Sequence, residues 1–145
     1  MYSNFMENYV LAKLFGSAAP SVNCQIGLSL TKPTVQGGNI TEPSGNGYAR
    51  VTKNMNSDFT IDSDANDVWA ENINHIDFPQ ATGSWGTIAY WTLYVYDTAY
   101  QFAEWGYITN ASGTPTPVVV SNEDYFSFQS ASLKIQFTPP QSEAP

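Results

Sequence analysis

From residue 22 onward, apolar and polar residues alternate one by one along the chain. Val22, Cys24, Ile26, Leu28 and Leu30 occupy every second position, with small or polar residues between them. Because successive side chains of a β-strand point to opposite faces, this pattern predicts a strand with one buried face. Further short strands are predicted at residues 48–53, 74–78, 87–97, 101–108, 118–120, 125–128 and 133–138.

The predicted strands are joined by stretches rich in Pro, Gly, Asn and Ser. The sequence predicts one helix, before the first strand, and no second helix that could form a βαβ crossover between strands. This arrangement favours a mainly β fold, an antiparallel β-sandwich with jelly-roll or Greek-key connectivity. Residues 36–46 and 54–66 are polar and are predicted as exposed loops. A length of 145 residues fits a single domain over residues 1–145.

The period is helical only before this point, so we predict one N-terminal α-helix at residues 3–15 within segment 1–16. Gly16 stands where a C-terminal cap is wanted. A helix this short is marginal in water and must dock on something. At the other end of the chain, the Pro-rich residues 139–145 are predicted to form an extended tail.

Residues 88–96 are apolar or aromatic on both faces of the predicted strand. We therefore expect a central strand, covered on one side by the opposing sheet and on the other by the helix or a neighbouring subunit. A single sandwich has one inner face, so leftover apolar surface favours self-association. The predicted assembly interface comprises Phe5, Tyr9, Val10, Tyr90, Tyr94 and Tyr96.

The charge balance restricts the partners. With 13 acidic and 5 basic residues the net charge is −8. Binding to DNA or RNA depends on basic side chains that neutralise phosphates, so we expect no nucleic-acid partner. No apolar run approaches the ~20 residues of a membrane span, and we expect a protein that is soluble when made, with no membrane partner. Cys24 is the only cysteine, which excludes an internal disulfide and favours a small buried core residue.

The stretch from Asp62 to Asp67 places oxygen side chains at alternate positions, like the opening of a calcium loop. The match then fails, because Asp67 stands where the loop needs Gly and Ile73 where a bidentate Glu belongs. We predict a solvated acidic loop and no metal site.

No catalytic group is predicted either, and no cofactor. His75 is the only histidine and lacks a serine or cysteine in a recognisable motif, so we expect a strand histidine satisfied by a neighbour. A pair of carboxylates could in principle form a glycosidase site, but sequence cannot set their separation. Those carboxylates are Glu71, Asp77, Asp97, Glu104 and Asp124.

Four tryptophans and nine tyrosines raise the possibility of saccharide stacking. We favour core and interface roles, where aromatic rings contribute large buried area, and leave a surface platform as an alternative. The tryptophans are Trp69, Trp85, Trp91 and Trp105.

Two turn-rich segments, residues 41–50 (TEPSGNGYAR) and residues 78–87 (FPQATGSWGT), each lead into a predicted strand. Together they resemble the paired motif of a family of small structural proteins of tailed bacteriophages, labelled tail-fibre, decoration or virion proteins. The similarity covers most of the chain, except for the aromatic residues 90–107 and the Pro-rich tail. The predicted turn-forming residues are Pro43, Gly45, Gly47, Gly83 and Gly86.

The resemblance implies a non-enzymatic component of a bacteriophage virion, made in the host cytoplasm, without catalytic residues or cofactors. It implies as partners other virion proteins and further copies of the chain, and as the mode of action subunit assembly, capsid decoration or surface display. The alternative is a receptor- or carbohydrate-binding β-sandwich module that holds a host surface glycan.

Overall fold

The computed structural model describes residues 11, 13–16 and 20–136. The sheets are antiparallel, which confirms the predicted mainly β class. The strands in the described residues are β1 (Asn23–Ser29), β2 (Val51–Asn54), β3 (Phe59–Ser63), β4 (Val68–Asn72), β5 (Ile76–Asp77), β6 (Gly86–Ile88), β7 (Tyr90–Asp97), β8 (Ala99–Tyr107), β9 (Val118–Val120), β10 (Ser127–Phe128) and β11 (Lys134–Ile135).

The chain divides into two compact units, each built from segments that are distant in sequence. The first comprises residues 1–22, 54–75 and 129–145, and the second comprises residues 23–53 and 76–128. The single domain and the jelly-roll or Greek-key connectivity stay predictions.

The first unit contains a three-stranded sheet in the order β11-β4-β3. The expected loop at residues 54–66 is wrong in its second half, because β3 begins at Phe59. Phe59 and Ile61 are only two apolar positions, too few to predict a strand alone. The strand forms by pairing with β4, where the half-buried Ile61 lies opposite Ala70. Phe59 is buried, with its ring centroid 5.3 Å from that of Phe15.

The second unit contains a four-stranded sheet in the order β2-β1-β7-β8, together with the pairs β6-β9 and β10-β5. The interior position of β7 confirms the predicted central strand. Ile26 lies opposite Leu93, and Leu28 opposite Trp91, on a face where all four side chains are buried. Cys24 is buried on the same face, as predicted.

Residues 87–97, predicted as one strand, form two. The break falls at Ala89, whose amide donates to Ser29 and whose carbonyl accepts from Ile108. On the N-terminal side, β6 pairs with β9, and on the C-terminal side β7 pairs with β1 and β8. The chain therefore changes sheets within a continuous apolar run.

The β7–β8 hairpin contains a β-bulge. Leu93 pairs with Glu104 and Tyr94 with Phe102, so Ala103 is left as the additional residue of β8. The bulge reverses the phase of β8, so the residues that follow it face the other way from a regular alternation.

The predicted N-terminal helix stays a prediction, since most of it lies outside the described residues. Within residues 11–16, the amide of Phe15 donates to the carbonyl of Leu11 at 2.7 Å. Phe5, Tyr9, Val10 and the tail at residues 139–145 also lie outside the described residues. No helix in the described part of the chain is long and apolar enough to cross a membrane.

Candidate functional site

The two turn-rich segments, residues 41–50 and 78–87, contact each other and are called here the paired loops. Asn46 joins them, since its carbonyl accepts from the Thr82 amide at 2.9 Å and from the Trp85 indole at 2.8 Å. The Asn46 side chain donates to the Ser84 carbonyl at 2.9 Å. Segments separated by about thirty residues in the motif are thus one structural unit.

The glycines of the paired loops are constrained to different degrees. Gly47 has φ +79°, and an added Cβ would lie 2.8 Å from the Gln80 carbonyl oxygen. Gly83 faces the Asn46 amide, which an added Cβ would approach to 2.6 Å. Gly45 and Gly86 also have positive φ, and the remaining predicted turn residue, Pro43, is buried.

A charged network fixes the first loop to β1. Arg50 donates from Nε to Glu42 Oε1 at 3.0 Å and from Nη2 to Oε2 at 2.9 Å, a bidentate pair. The Tyr48 hydroxyl donates to Glu42 Oε1 at 2.7 Å and accepts from the Leu28 amide at 3.0 Å. The loop therefore satisfies a backbone donor of the strand that it covers.

The network determines the charge of its members. Burial alone would raise the pKa of Glu42, but hydrogen bonds from Arg50 and Tyr48 and the Arg50 charge lower that pKa below its usual value. The hydrogen bond to Glu42 raises the pKa of Arg50 against the effect of burial. Burial, followed by the contact with Glu42, raises the pKa of Tyr48. Glu42 and Arg50 are therefore charged and Tyr48 is neutral. These protonation states suit a network that holds the loop in place rather than one that transfers protons.

The first loop covers the other face of the sheet, away from the face on which Leu93 is buried. Arg50 stacks on Tyr94 with 3.6 Å between the guanidinium carbon and the ring centroid. Thr92 lies on the same face and is fully buried, and its hydroxyl has no hydrogen-bond partner among the described residues. Gly27 leaves room there, because an added Cβ would lie 2.7 Å from Thr92 Oγ1.

Aromatic side chains cover the rest of this face. Register places Tyr90 opposite Tyr107, Tyr94 opposite Phe102 and Tyr96 opposite Tyr100, and directly opposed residues point to one side. Trp105, opposite Thr92, joins them. We call this set the aromatic face: Tyr90, Tyr94, Tyr96, Tyr100, Phe102, Trp105 and Tyr107.

Exposure varies along the aromatic face. Tyr94 is 7% exposed beneath Arg50, whereas Tyr96 is 50% and Tyr107 is 42% exposed. Tyr90, Trp105 and Tyr107 form a cluster with ring centroids 5.4–5.8 Å apart. The three β7 tyrosines of the predicted interface, Tyr90, Tyr94 and Tyr96, therefore lie on one face of the sheet, and Tyr94 is buried by residues of the same chain.

The contribution of β8 to this face was not predicted. Alternation in β8 carries Tyr100 and Phe102 to the aromatic face, but it would send Trp105 and Tyr107 to the other side. The bulge at Ala103 restores them. No local signal in the sequence marks the bulge, although the density of aromatic residues in 90–107 does mark the region.

The match to known families decides the class of protein. A family model described as Podophage GP4 fiber I protein gp80 matches residues 1–136. The chain belongs to this family. No curated protein matches the chain. Both paired loops and the whole aromatic face of this podophage fibre protein lie inside the matched region, and membership makes it a structural component of a phage virion that interacts with other virion proteins.

Several acidic side chains of the fibre protein accept hydrogen bonds from other groups of the same chain. Asp64 caps its own loop, because its carboxylate accepts from the amides of Asn66 and Asp67, which lower its pKa. Asp77 accepts from the Ser127 hydroxyl at 2.6 Å, and Asp124 from the Ser121 amide at 2.8 Å. In the described residues, no three His, Cys, Asp or Glu side chains are grouped to hold a metal.

The remaining candidate catalytic residues lie in different surroundings. Glu71 accepts from the Trp69 indole at 2.7 Å, and Asp97 is exposed where β7 ends. His75 is exposed just before β5, not within a strand as expected, and the described residues supply no hydrogen bond to its ring. Glu104 differs from the others, since burial raises its pKa to about 8.

Proposed function

We propose that this fibre-family chain is a non-enzymatic module that works by subunit assembly, docking its aromatic face against neighbouring virion subunits and displaying its polar loops. Tyr96 and Tyr107 are about half exposed on one face of an ordered sheet, and this observation carries the proposal. Tyrosine supplies large contact area with little loss of conformational freedom, and it is enriched in interfaces. Tyr94 supports the surface from below through its contacts with Arg50 and Phe102.

The predicted helix face of Phe5, Tyr9 and Val10 is part of the same proposal, as a second apolar surface available for other virion proteins or further copies of the chain. The two-layer sandwich, the capsid-decorating role and synthesis in the host cytoplasm belong to it as well. The sequence pattern of residues 1–16 supports the helix face, the antiparallel sheets support the sandwich, and membership of a phage fibre family supports a place in the virion.

The test is incorporation into virions. Replacing Tyr96 and Tyr107 together by Ser is expected to lower incorporation about ten-fold or more, since truncating an interface tyrosine commonly costs over ~1 kcal/mol of binding. The melting temperature should change little, because both side chains are substantially exposed. Tyr125→Ser is the matched control, since Tyr125 is 70% exposed and is not one of the aromatic-face residues. A double variant that incorporates as well as this control contradicts the proposal.

A second candidate is the carbohydrate-binding module, supported by the cluster of Tyr90, Trp105 and Tyr107 with the Lys32 ammonium 5.6 Å from the Trp105 ring. Aromatic rings beside a hydrogen-bond donor suit a saccharide. A glycan array separates the two functions: binding that is lost in Trp105→Ala and kept in Trp69→Ala favours this module, and no binding leaves assembly as the function.

A further inference from the structure

Among the residues that the structure describes, the outer side of β8 is an open sheet edge. Ala99–Tyr107 pairs with β7 along its inner side and is the last strand in the order β2-β1-β7-β8. Within the described part of the chain, no other backbone group bonds to β8. Nine residues of unpaired edge are a template onto which an extended segment of another chain can add as a further strand.

Most of the features that protect natural edges are missing from β8. Its sequence, AYQFAEWGY, has neither proline nor lysine. Two features remain, the bulge at Ala103 and the carboxyl group of Glu104. Glu104 lies opposite Leu93, which in turn lies opposite Ile26, so its side chain points to the buried face and away from the aromatic face.

Among the described residues, the carboxyl group of Glu104 has no partner. The described residues supply neither a hydrogen bond nor an ion pair to its carboxyl group, and burial raises its pKa to about 8. Lys32 and Arg50 contact aromatic-face rings, on the opposite side of the sheet from Glu104. Glu104 is half-buried, so its carboxyl group is only partly desolvated while the edge stays open.

A strand added to β8 would complete the burial of Glu104. An apolar residue opposite would leave a buried carboxyl without a partner, and an acidic one would add repulsion, both at considerable cost. A lysine or arginine opposite would instead favour the ionised carboxylate and form a charge-assisted hydrogen bond with it. The net charge of −8 favours a basic partner over a second copy of this acidic chain.

We propose that the open edge of β8 accepts an extended strand from another protein of the virion that places a lysine or arginine opposite Glu104, and that it rejects strands with an apolar or acidic residue there. The inference rests on the proposed role in assembly, but it concerns the edge of the sheet rather than its aromatic face.

The test uses the full chain and three synthetic nine-residue peptides of alternating Thr and Val that differ only at the central position, which is Lys, Leu or Glu. Binding is followed by amide chemical shifts. The Lys peptide is expected to bind about ten-fold more tightly than the Leu peptide, with shifts concentrated in residues 99–107. In Glu104→Gln the preference should disappear, and in Glu104→Lys the Glu peptide should bind best. Glu123→Gln, the same substitution at an exposed site, should keep the wild-type preference.

Equal affinity for the Lys and Leu peptides, or no response of β8 to any peptide, overturns the inference. So does concentration-dependent protection of β8 without peptide, which would make a second copy the occupant. If Glu104→Lys does not fold, the isosteric Glu104→Gln decides the result alone. Failure here leaves the Tyr96 and Tyr107 test of the aromatic face untouched, and failure of that test leaves peptide selectivity standing.

Discussion

Gly45 and Gly47 are two residues apart in one turn and both have positive φ, yet their surroundings differ. A Cβ on Gly45 would meet nothing within 4 Å, whereas one on Gly47 would lie 2.8 Å from the Gln80 carbonyl oxygen. Backbone oxygen cannot move aside as a flexible side chain can. The two positions therefore separate the cost of backbone strain from the cost of steric contact.

We predict that Gly45→Ala lowers the free energy of unfolding by about 1 kcal/mol, the cost of a side chain at positive φ. Gly47→Ala should cost at least about twice as much, because the Gln80 contact adds to the same strain. Urea denaturation of both variants measures the difference. Equal losses would show that the second loop moves away freely and that the paired loops are not rigidly joined.

At the scale of elements, Asn72 joins chain segments that the sequence separates widely. This residue at the end of β4 is 1% exposed. Its side-chain amide donates to the carbonyls of Asn74 and Gln129, both at 2.8 Å, and its oxygen accepts from the Leu133 amide at 2.9 Å. One side chain thus holds the segment before β11 beside β4.

We predict that Asn72→Ala destabilises the chain by about 3 kcal/mol or more, because the buried Leu133 amide loses its acceptor and two carbonyls lose their donor. Asn66→Ala, at an exposed position, should stay within about 0.5 kcal/mol of the parent. Thermal or urea unfolding distinguishes the two. A small effect at Asn72 would mean that water replaces its hydrogen bonds, so that the side chain is not required.

For the whole molecule, Glu42 and Glu104 give stability opposite dependences on pH. The pKa of Glu42 is lowered on folding, so its contribution is present above the ordinary value of 4.5 and is lost as pH falls through the folded pKa. Burial raises the pKa of Glu104 from 4.5 to about 8. The native state therefore keeps its proton to higher pH than the unfolded state does. The contribution of Glu104 to the free energy of unfolding is fully present below pH ~4.5 and decreases as pH rises toward ~8.

We therefore predict maximal stability at mildly acidic pH, with a decrease toward pH ~8. Glu104→Gln should flatten the alkaline side and raise the melting temperature at pH ~8 by several degrees, since ~1 kcal/mol corresponds to roughly 3–4 °C at this size. Melting curves between pH ~3 and ~9 measure the profile, with Glu123→Gln as the control. An unchanged alkaline side in Glu104→Gln would assign the decrease to other groups.

The sequence by itself determined the β class, the central position of residues 90–96 and the burial of Cys24, because alternation with period two is a local property that burial of one face requires. It also located the paired loops, since Pro, Gly and Asn report local backbone needs. The family match, over residues 1–136, agrees with the resemblance read from these loops.

Only the tertiary structure decided how distant residues meet. The contact of Asn46 with Trp85, the pairing of Phe59 with β4 and the bulge at Ala103 depend on strand pairing between segments far apart in the chain. The same pairing turned Glu104 toward the buried side of an open edge. A local pattern sets which side of a strand is apolar, but register and sheet order, which settle what each face and edge meets, arise from the whole chain.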